Sequence, residues 1–372
     1  MKDSENAKSI SDIEVAELFN QASSVEEKLK YFSKIQDDSC KMELLNSISE
    51  KERYKFIGKF KLPQSISIAL NGLSDEKTKG KTFNFVSKQF KGNNMGLLEI
   101  LTQIDFDVTI PTNMLTFKLD NINALNLDFL INIQRHVTNH SDMKFKINEH
   151  ESDSTKIEYS FSEISAIIAK IEELTADIPK DMDEANKFYK VYSRITGMMT
   201  YDHNCIRNSN IAKDTLRKAV FTDGFSKAHD DYDEEMKAIR KKPAGLYGGL
   251  IEGKAICAGY ALILHEALKY VGLKSQYVIG FVPGNDGHAW NQVQIDGKWY
   301  NADPTWDSQE YQYYRRYEDM LLCDEDFNQT HGKFSSRRTK TEHKCNSRFD
   351  YSKIQGLSPS QIKSTGRREY AL

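Results

Sequence analysis

The chain has 372 residues, 28% of them charged and 39% hydrophobic, which is the composition of an ordinary soluble protein with two or three domains. Its net charge of −3 gives no reason to expect nucleic acid as a partner, or attraction to a membrane. The polar start of the chain lacks a signal-peptide core, and no run approaches the ~18 apolar residues of a membrane span. We therefore expect a cytoplasmic protein, or one exported without a Sec signal peptide.

The first region, residues 1–105, has the pattern of helical hairpins. Ser24 followed by Glu27 and an apolar stripe is typical of a capped helix start. The segments 44–51 and 69–77 resemble each other at an offset of 25 residues, and each has a leucine-rich end, a serine as N-cap and then charged residues. This similarity predicts a short helical repeat, although ordinary capping in a helical bundle gives the same pattern.

The second region, residues 106–161, is predicted to be a small α+β connecting module. Apolar and polar residues alternate in 114–119, 143–147 and 156–161, as they do in half-buried strands. A helix between them is expected over 125–137. No function can be read from this region.

The helical period returns in the third region, residues 162–372, which is expected to be the catalytic domain. An apolar stripe runs from Ile164 to Leu174, and 185–199 predicts a second helix. The segment 223–242 is dense in mixed charge, which is typical of a solvated face. Glycines then mark a turn-rich approach to Cys257.

Cys257 differs from the other cysteines of the chain. The sequence contains five cysteines: Cys40, Cys205, Cys257, Cys323 and Cys345. Their scattered positions and the lack of a CxxC pair argue against a disulfide framework and against a zinc site. Only Cys257 begins an apolar helical pattern, with Gly272 as its expected terminator. The free N–H groups and the dipole of a helix start favour a thiolate and can hold an oxyanion. Small neighbours such as Gly259 would leave room for a substrate, unless they serve only packing.

His288 and Asp303 are predicted to meet in a β-hairpin. Two strands flank Asp296-Gly297, which is a strong signal for a two-residue turn. That turn pairs Trp290 with Asp303 and makes His288 the diagonal neighbour of Asp303 on the same face. Diagonal neighbours lie roughly 7–8 Å apart, so the carboxylate can reach the imidazole. Each residue alone is more often structural, but a cysteine, a histidine and an aspartate in this order predict a shared site for thiol catalysis.

The sequence resembles the transglutaminase-like superfamily, with its papain-like fold, and is most similar to bacterial transglutaminase-core proteins. Residues 246–261 match the cysteine motif of that family, 287–291 its histidine motif and 299–307 its aspartate motif. The segment 321–327 and the following His331 resemble what bacterial members carry after the aspartate. The likeness covers about 163–345, and nothing before residue 161 shares in it.

The resemblance implies an α+β fold in which a catalytic helix packs on an antiparallel sheet, preceded by the helical region and the small α+β module. It implies cysteine-dependent acyl transfer through a thioester, of the transglutaminase, deamidase or peptidase type, on a protein or peptide carboxamide or amide. In that reaction Cys257 is the nucleophile, His288 the base and later the acid, and Asp303 the residue that orients the imidazole.

Tyr247, Trp290 and Gly259 are the candidates for substrate binding or oxyanion support. Trp290 and Trp306 are expected to wall the cleft, and Tyr247 could instead pack under the catalytic helix. No dense acidic cluster of the kind that calcium needs is visible, so no metal and no cofactor are expected. The expected partner is a protein or peptide substrate, recruited by residues 1–105 unless these only cap the core. The alternative function is a non-catalytic scaffold, and basic residues around Arg337 could contact an acidic partner.

Overall fold

The computed structural model describes residues 11–90, 94–110, 112–119, 122, 125–147, 157–222, 225–282, 286–308, 317–331, 343–358 and 361–362. The chain forms two compact units. Unit 1 consists of Met1–Leu119 and Asp128–Phe145, and unit 2 of Asp120–Leu127 and Lys146–Leu372. The fold is mixed α+β with a helical N-terminal region, which confirms the predicted fold class. No helix within the described ranges combines the length and apolar character that crossing a bilayer demands.

Unit 1 is mainly helical, as its amphipathic pattern predicts. Its helices in the described ranges are α1 (Asp12–Gln21), α2 (Val25–Phe32), α3 (Asp38–Leu45), α4 (Glu50–Ile57), α5 (Pro63–Asn71), α6 (Glu76–Ser87), α7 (Asn94–Leu101) and, apart from its first residue, α8 (Leu127–His136). Short 3₁₀ turns follow α6 and precede the strand β1 (Thr116–Leu119).

Successive helical hairpins of unit 1 are joined by acidic side chains at helix starts. The carboxylate of Asp12, the first residue of α1, accepts the N–H groups of Gln36 and Asp37 at 2.7–3.0 Å. Asp38, the first residue of α3, accepts the N–H group of Leu62 at 2.9 Å. Each bond therefore caps a backbone donor 24 or 25 residues farther along the chain, before the next equivalent helix. The helical repeat predicted from the sequence is present in the structure.

The second copy of the repeat is capped differently from the prediction. The N-cap of α6 is Asp75, whose side chain accepts the N–H group of Thr78 at 2.8 Å, and not the preceding serine. Ser74 instead donates its hydroxyl to Glu50, the first residue of α4, at 2.7 Å. The predicted cap at Ser24 is confirmed, because its hydroxyl accepts the N–H group of Glu27.

The core of unit 1 combines aromatic rings with one buried ion pair. Phe19, Phe32 and Phe56 are fully buried, with ring centroids 5.2–6.3 Å apart. Lys41 is only 1% exposed, and its ammonium lies 3.1 Å from the carboxylate of Asp38. The same acid thus holds both a repeat contact and a buried charge.

The segments predicted as strands between residues 114 and 161 are strands: β1, β2 (Lys144–Ile147) and β3 (Ile157–Ser160). Within unit 1, the N–H group of Lys144 donates to the carbonyl of Leu115 at 2.9 Å. Within unit 2, Lys146 and Glu158 form an ion pair at 3.3 Å. The boundary between the units runs through β2, and the predicted module over 106–161 stays a prediction.

Unit 2 contains a three-stranded antiparallel sheet, order β6-β7-β8, against which one long helix packs. The remaining elements are α9 (Phe161–Thr175), α10 (Glu184–Met198), β4 (Thr200–Tyr201), α11 (His203–Thr222), α12 (Phe225–Arg240), α13 (Leu246–Leu250), β5 (Lys254–Ala255), α14 (Cys257–Tyr270), β6 (Ser275–Val282), β7 (Asp286–Ile295), β8 (Lys298–Ala302) and α15 (Asp324–Phe327). The helix on the sheet is α14. The charge-rich segment is α12, and the basic segment around Arg337 lies outside the described residues.

Candidate active site

Cys257 is the first residue of α14, as the sequence pattern predicts. Ile256 is the N-cap, and the apolar face that follows is buried in unit 2. The helix ends at Tyr270, and Gly272, just beyond the C-cap Val271, has a φ of 84°, in the left-handed region. The next residue, Leu273, donates its N–H group to the carbonyl of Leu268 at 2.9 Å, which is the bond expected of a Schellman end. The sulfur therefore lies at the positive end of a well-terminated helix.

Backbone hydrogen bonds hold the segment that leads into Cys257. β4 and β5 pair in parallel, and the N–H group of Asp202 donates to the carbonyl of Ala255 at 2.9 Å. On the other side, the N–H group of Ile256 donates to the carbonyl of Pro243 at 2.9 Å. The start of the helix, and with it the nucleophile candidate, is thus fixed from two directions.

Gly259 does not face open space. It is buried, and a Cβ atom at this position would lie 2.3 Å from the carbonyl oxygen of Pro243. The expectation that Gly259 leaves room for a substrate beside the sulfur is wrong, because the backbone at Pro243 already fills that side. Gly248 has a similar role, since its Cβ would lie 2.3 Å from the carbonyl oxygen of Lys242. Both glycines allow the loop before α13 to approach closely.

The hairpin that carries His288 has the predicted register. Asp296 and Gly297 form the turn, with φ values of 50° and 77°. Ile295 pairs with Lys298, and the ladder continues to the end of β8. One residue beyond β8, Asp303 accepts the N–H group of His288 Nε2 at 2.6 Å through its Oδ2. The histidine–aspartate hydrogen bond predicted from turn length and register is confirmed.

The carboxylate of Asp303 is completely buried and accepts four hydrogen bonds. Its Oδ1 accepts the backbone N–H groups of Thr305 at 2.8 Å and Trp306 at 3.3 Å. Its Oδ2 accepts Nε2 of His288 and, at 3.1 Å, Nε2 of His331. The sequence pattern had marked His331 only as part of a downstream motif, and nothing in its spacing indicated that it reaches this carboxylate.

The charges of the site support one another. Burial alone would lower the pKa of His288, but the charge and hydrogen bond of Asp303 and the hydrogen bond with Cys257 raise it to about 10. Burial would raise the pKa of Asp303, yet the charge of His288 and the bonds from both imidazoles hold it well below its usual range. At neutral pH these shifts favour an imidazolium next to a carboxylate, and such a cation stabilises a neighbouring thiolate.

The structure brings the three predicted catalytic residues together in unit 2. Cys257 is close enough to the imidazole of His288 to contribute to the raised pKa of that ring. Since Nε2 of that ring bonds Asp303, the nitrogen left for the sulfur is Nδ1. Cys257 is half-buried, while His288 is 7% exposed and Asp303 not at all, so access from solvent is greatest at the sulfur end.

The remaining candidate residues differ from one another in exposure and in the side chains that they contact. Trp290 is only 1% exposed and packs in a core cluster with Val278, Leu322 and Phe327, so the expectation that it walls a cleft is wrong. Trp306 is half-buried, and its ring centroid lies 5.4 Å from that of His288.

Tyr247 is half-buried as well, and Lys242 Nζ lies 5.1 Å from the centroid of its ring. This contact gives the tyrosine a place in the packing before α14. Its predicted part in substrate binding or oxyanion support stays a prediction.

A second buried carboxylate, that of Asp307, stabilises the segment that follows β8 and contains Asp303. The hydroxyl of Tyr192 lies 2.7 Å from Asp307 Oδ2 and 2.9 Å from the backbone carbonyl of Asp303. Asp307 also accepts the N–H groups of Glu318 and Asp319. Burial and the charge of Asp319 raise the pKa of Asp307 well above its ordinary range. Asp307 lies in the aspartate motif, but the motif alone does not indicate this support.

His288, Asp303 and His331 also form a group whose ligand atoms lie within 4.8 Å of one another. Two imidazole nitrogens and a carboxylate oxygen are donor types that zinc accepts. In this structure the three atoms are engaged with each other, since both Nε2 atoms bond the same Oδ2. The arrangement is thus accounted for by N–H donation to a carboxylate.

Comparison with known proteins identifies the segment that contains these residues. Residues 212–304 match the family model of the transglutaminase-like superfamily, and the match includes Cys257, His288 and Asp303. A solved structure titled "Crystal structure of a TGase" is 22% identical over 39% of this chain, with a TM-score of 0.27. The match covers 32% of that protein, about a third of its length. A search of curated proteins found no match. Residues 212–304 are therefore similar to the transglutaminase-like superfamily.

Proposed function

We propose that this protein is a cysteine-dependent acyl-transfer enzyme, with Cys257 as nucleophile, His288 as base and acid, and Asp303 as the group that orients the imidazole. The observation that carries the proposal is the 2.6 Å bond from His288 to a fully buried carboxylate. A cysteine at a helix start lies near enough to the same imidazole to influence its pKa. A nucleophile, a base and an orienting acid in mutual contact are what covalent acyl transfer requires.

The first half of the proposed reaction forms a thioester. In the reactive form the thiol proton already resides on His288 Nδ1, and the sulfur of Cys257 attacks the carbonyl carbon of a carboxamide or amide. The resulting oxyanion is held by backbone N–H groups in the first turn of α14, which have no partner inside the helix. The C–N bond then breaks as the imidazolium gives its proton to the leaving ammonia or amine, and the thioester remains.

The second half regenerates the thiol. His288 accepts a proton from an incoming amine or water, which attacks the thioester carbon, and the C–S bond breaks as the sulfur recovers its proton. An amine would give amide transfer, and water would give deamidation or peptide hydrolysis. The substrate we propose is a protein or peptide. We also propose that the helical repeats of unit 1 recruit it, since stacked helical repeats form extended binding surfaces.

The test is mass spectrometry of cell proteins incubated with the full chain in the presence of a biotinylated primary amine. Wild type should produce one of three changes: an amine adduct on glutamine, a shift of about one mass unit, or new peptide ends. Cys257→Ala should abolish that change, whereas Cys40→Ala, which replaces a cysteine of unit 1, should preserve it. A wild type that modifies nothing, with a Cys257 thiol no more reactive than Cys40, would favour the scaffold instead.

A further inference from the structure

His331 shares a single carboxylate oxygen with the proposed catalytic base. Its Nε2 lies 3.1 Å from Asp303 Oδ2, the atom that His288 Nε2 contacts at 2.6 Å. The two imidazoles lie side by side, with centroids 5.6 Å apart and planes tilted by 38°. Because a carboxylate only accepts, both rings must present an N–H group to this oxygen.

The ring of His331 is held rigidly and away from solvent. Its side chain is completely buried, and the ring stacks on Phe327 with centroids 3.7 Å apart and planes 12° apart. Trp306 covers it at 4.3 Å, and its Nδ1 lies 2.9 Å from the hydroxyl of Thr330. Phe327 and Thr330 belong to α15 and the turn after it, outside the hairpin that carries His288, whereas Trp306 lies in the segment after β8.

The proton positions of His331 follow from its partners. If the hydroxyl of Thr330 donates to Nδ1, the ring is neutral and keeps its one N–H group at Nε2. If that hydroxyl instead donates to the carbonyl of Phe327, 3.2 Å away, Nδ1 donates to the hydroxyl and the ring carries both N–H groups. In either form Nε2 presents an N–H group to Asp303, so the ring is a fixed hydrogen-bond donor to this carboxylate.

We propose that His331 is a positioning residue, which donates its Nε2–H to Asp303 and fixes the carboxylate in the orientation that serves His288. Two backbone N–H groups hold Oδ1, and His331 supplies the additional donor at Oδ2. Without it, the carboxylate can move away from His288, and the imidazole is less well oriented toward Cys257. The inference rests on the proposed function, because a fixed Asp303 matters here only through the reactivity of Cys257.

The experiment measures the rate of Cys257 alkylation by iodoacetamide at pH 6.5 in the full chain, with Cys40 as the reference thiol. Gln places an amide N–H at about the distance of a histidine Nε2, whereas Leu places none. We expect His331→Leu to slow the reaction of Cys257 by about 10- to 100-fold, the usual weight of a hydrogen bond to a charged group. His331→Gln should recover most of the wild-type rate.

The outcomes separate the two proposals. Equal rates in wild type and His331→Leu, or equally slow rates in the Leu and Gln variants, would overturn the positioning role while leaving the enzyme proposal intact. A wild-type Cys257 that reacts no faster than Cys40 would overturn the enzyme proposal and this one with it. If the Leu variant fails to fold, His331→Asn replaces it, because its amide is one methylene too short to reach Asp303. In that case Cys257 must be alkylated faster in His331→Gln than in His331→Asn by a similar factor.

Discussion

Replacing Asp303 by asparagine should uncouple the cysteine from the histidine without emptying the site. The amide oxygen can still accept the backbone N–H groups of Thr305 and Trp306, which now bond Oδ1. The amide nitrogen then occupies the position of Oδ2 and offers only N–H groups to His288 Nε2. His288 Nε2 must therefore be unprotonated to accept this hydrogen bond, and the proton of the neutral ring lies on Nδ1. Nδ1 is the nitrogen that should receive the thiol proton, so the ring can no longer act as the base.

The size of the effect follows from the stabilised imidazolium. A rise in the pKa of His288 from 6.5 to about 10 corresponds to about 5 kcal/mol in favour of the charged ring. His288 is 7% exposed, so solvent screens little of this energy. Loss of the carboxylate charge and reversal of the tautomer should together slow the thiolate chemistry of Cys257 by roughly 10³-fold or more. The same aspartate-to-asparagine change in a serine protease triad costs about 10⁴-fold in kcat.

The assay follows alkylation of Cys257 and Cys40 in one sample from pH 5 to 9 by peptide mass spectrometry. Burial and neighbouring carboxylates raise the pKa of Cys40, which makes it a slow internal reference. In wild type Cys257 should react much faster than Cys40 at pH 6–7, and in Asp303→Asn this advantage should vanish. Asp296→Asn, which changes an exposed carboxylate at the tip of the same hairpin, should behave as wild type. An Asp303→Asn protein whose Cys257 keeps its wild-type rate at pH 6–7 would show that Asp303 does not control the reactivity of the thiol.

Three further predictions concern pH, packing and buried charge. Since the folded-state pKa of His288 is raised to about 10, its ion pair with Asp303 stabilises the fold fully below about pH 6.5. Denaturant titrations should show that this contribution to the free energy of unfolding is lost as the pH rises toward 10. Acyl transfer should decline over the same range, because the His288 imidazolium loses the proton that it gives to the leaving group. Gly259→Ala should lower the free energy of unfolding by about 1–3 kcal/mol, because its Cβ would lie 2.3 Å from a backbone carbonyl oxygen. Gly80→Ala is the control and should raise the free energy of unfolding slightly, because its Cβ would have no atom within 4 Å. Equal changes of Tm in the two variants would contradict this account. Lys41→Met should lower the free energy of unfolding of unit 1 by about 3 kcal/mol, because it leaves the buried carboxylate of Asp38 without its cation. An unchanged midpoint of unfolding in a denaturant titration would mean that the ion pair contributes nothing to stability.

Local sequence signals determined much of the candidate site. The apolar period after Cys257 and the glycine at position 272 fix a helix with the sulfur in its first turn, since both signals act within a few residues. The Asp-Gly turn at 296 fixes the register of the hairpin, and register alone decides that His288 and Asp303 share a face. Helix periodicity likewise predicted the repeats of unit 1.

Only the tertiary structure decided which groups fill the space around those residues. The arrival of His331 at Asp303, the close approach of Pro243 to Gly259 and the burial of Trp290 all depend on loops whose paths no local spacing encodes. The physical reason is that turn chemistry and periodicity set the direction of a side chain relative to its own element. The partner that it meets there is set by the packing of distant segments against the sheet, because each buried polar atom and each cavity must be filled by whatever part of the chain can reach it.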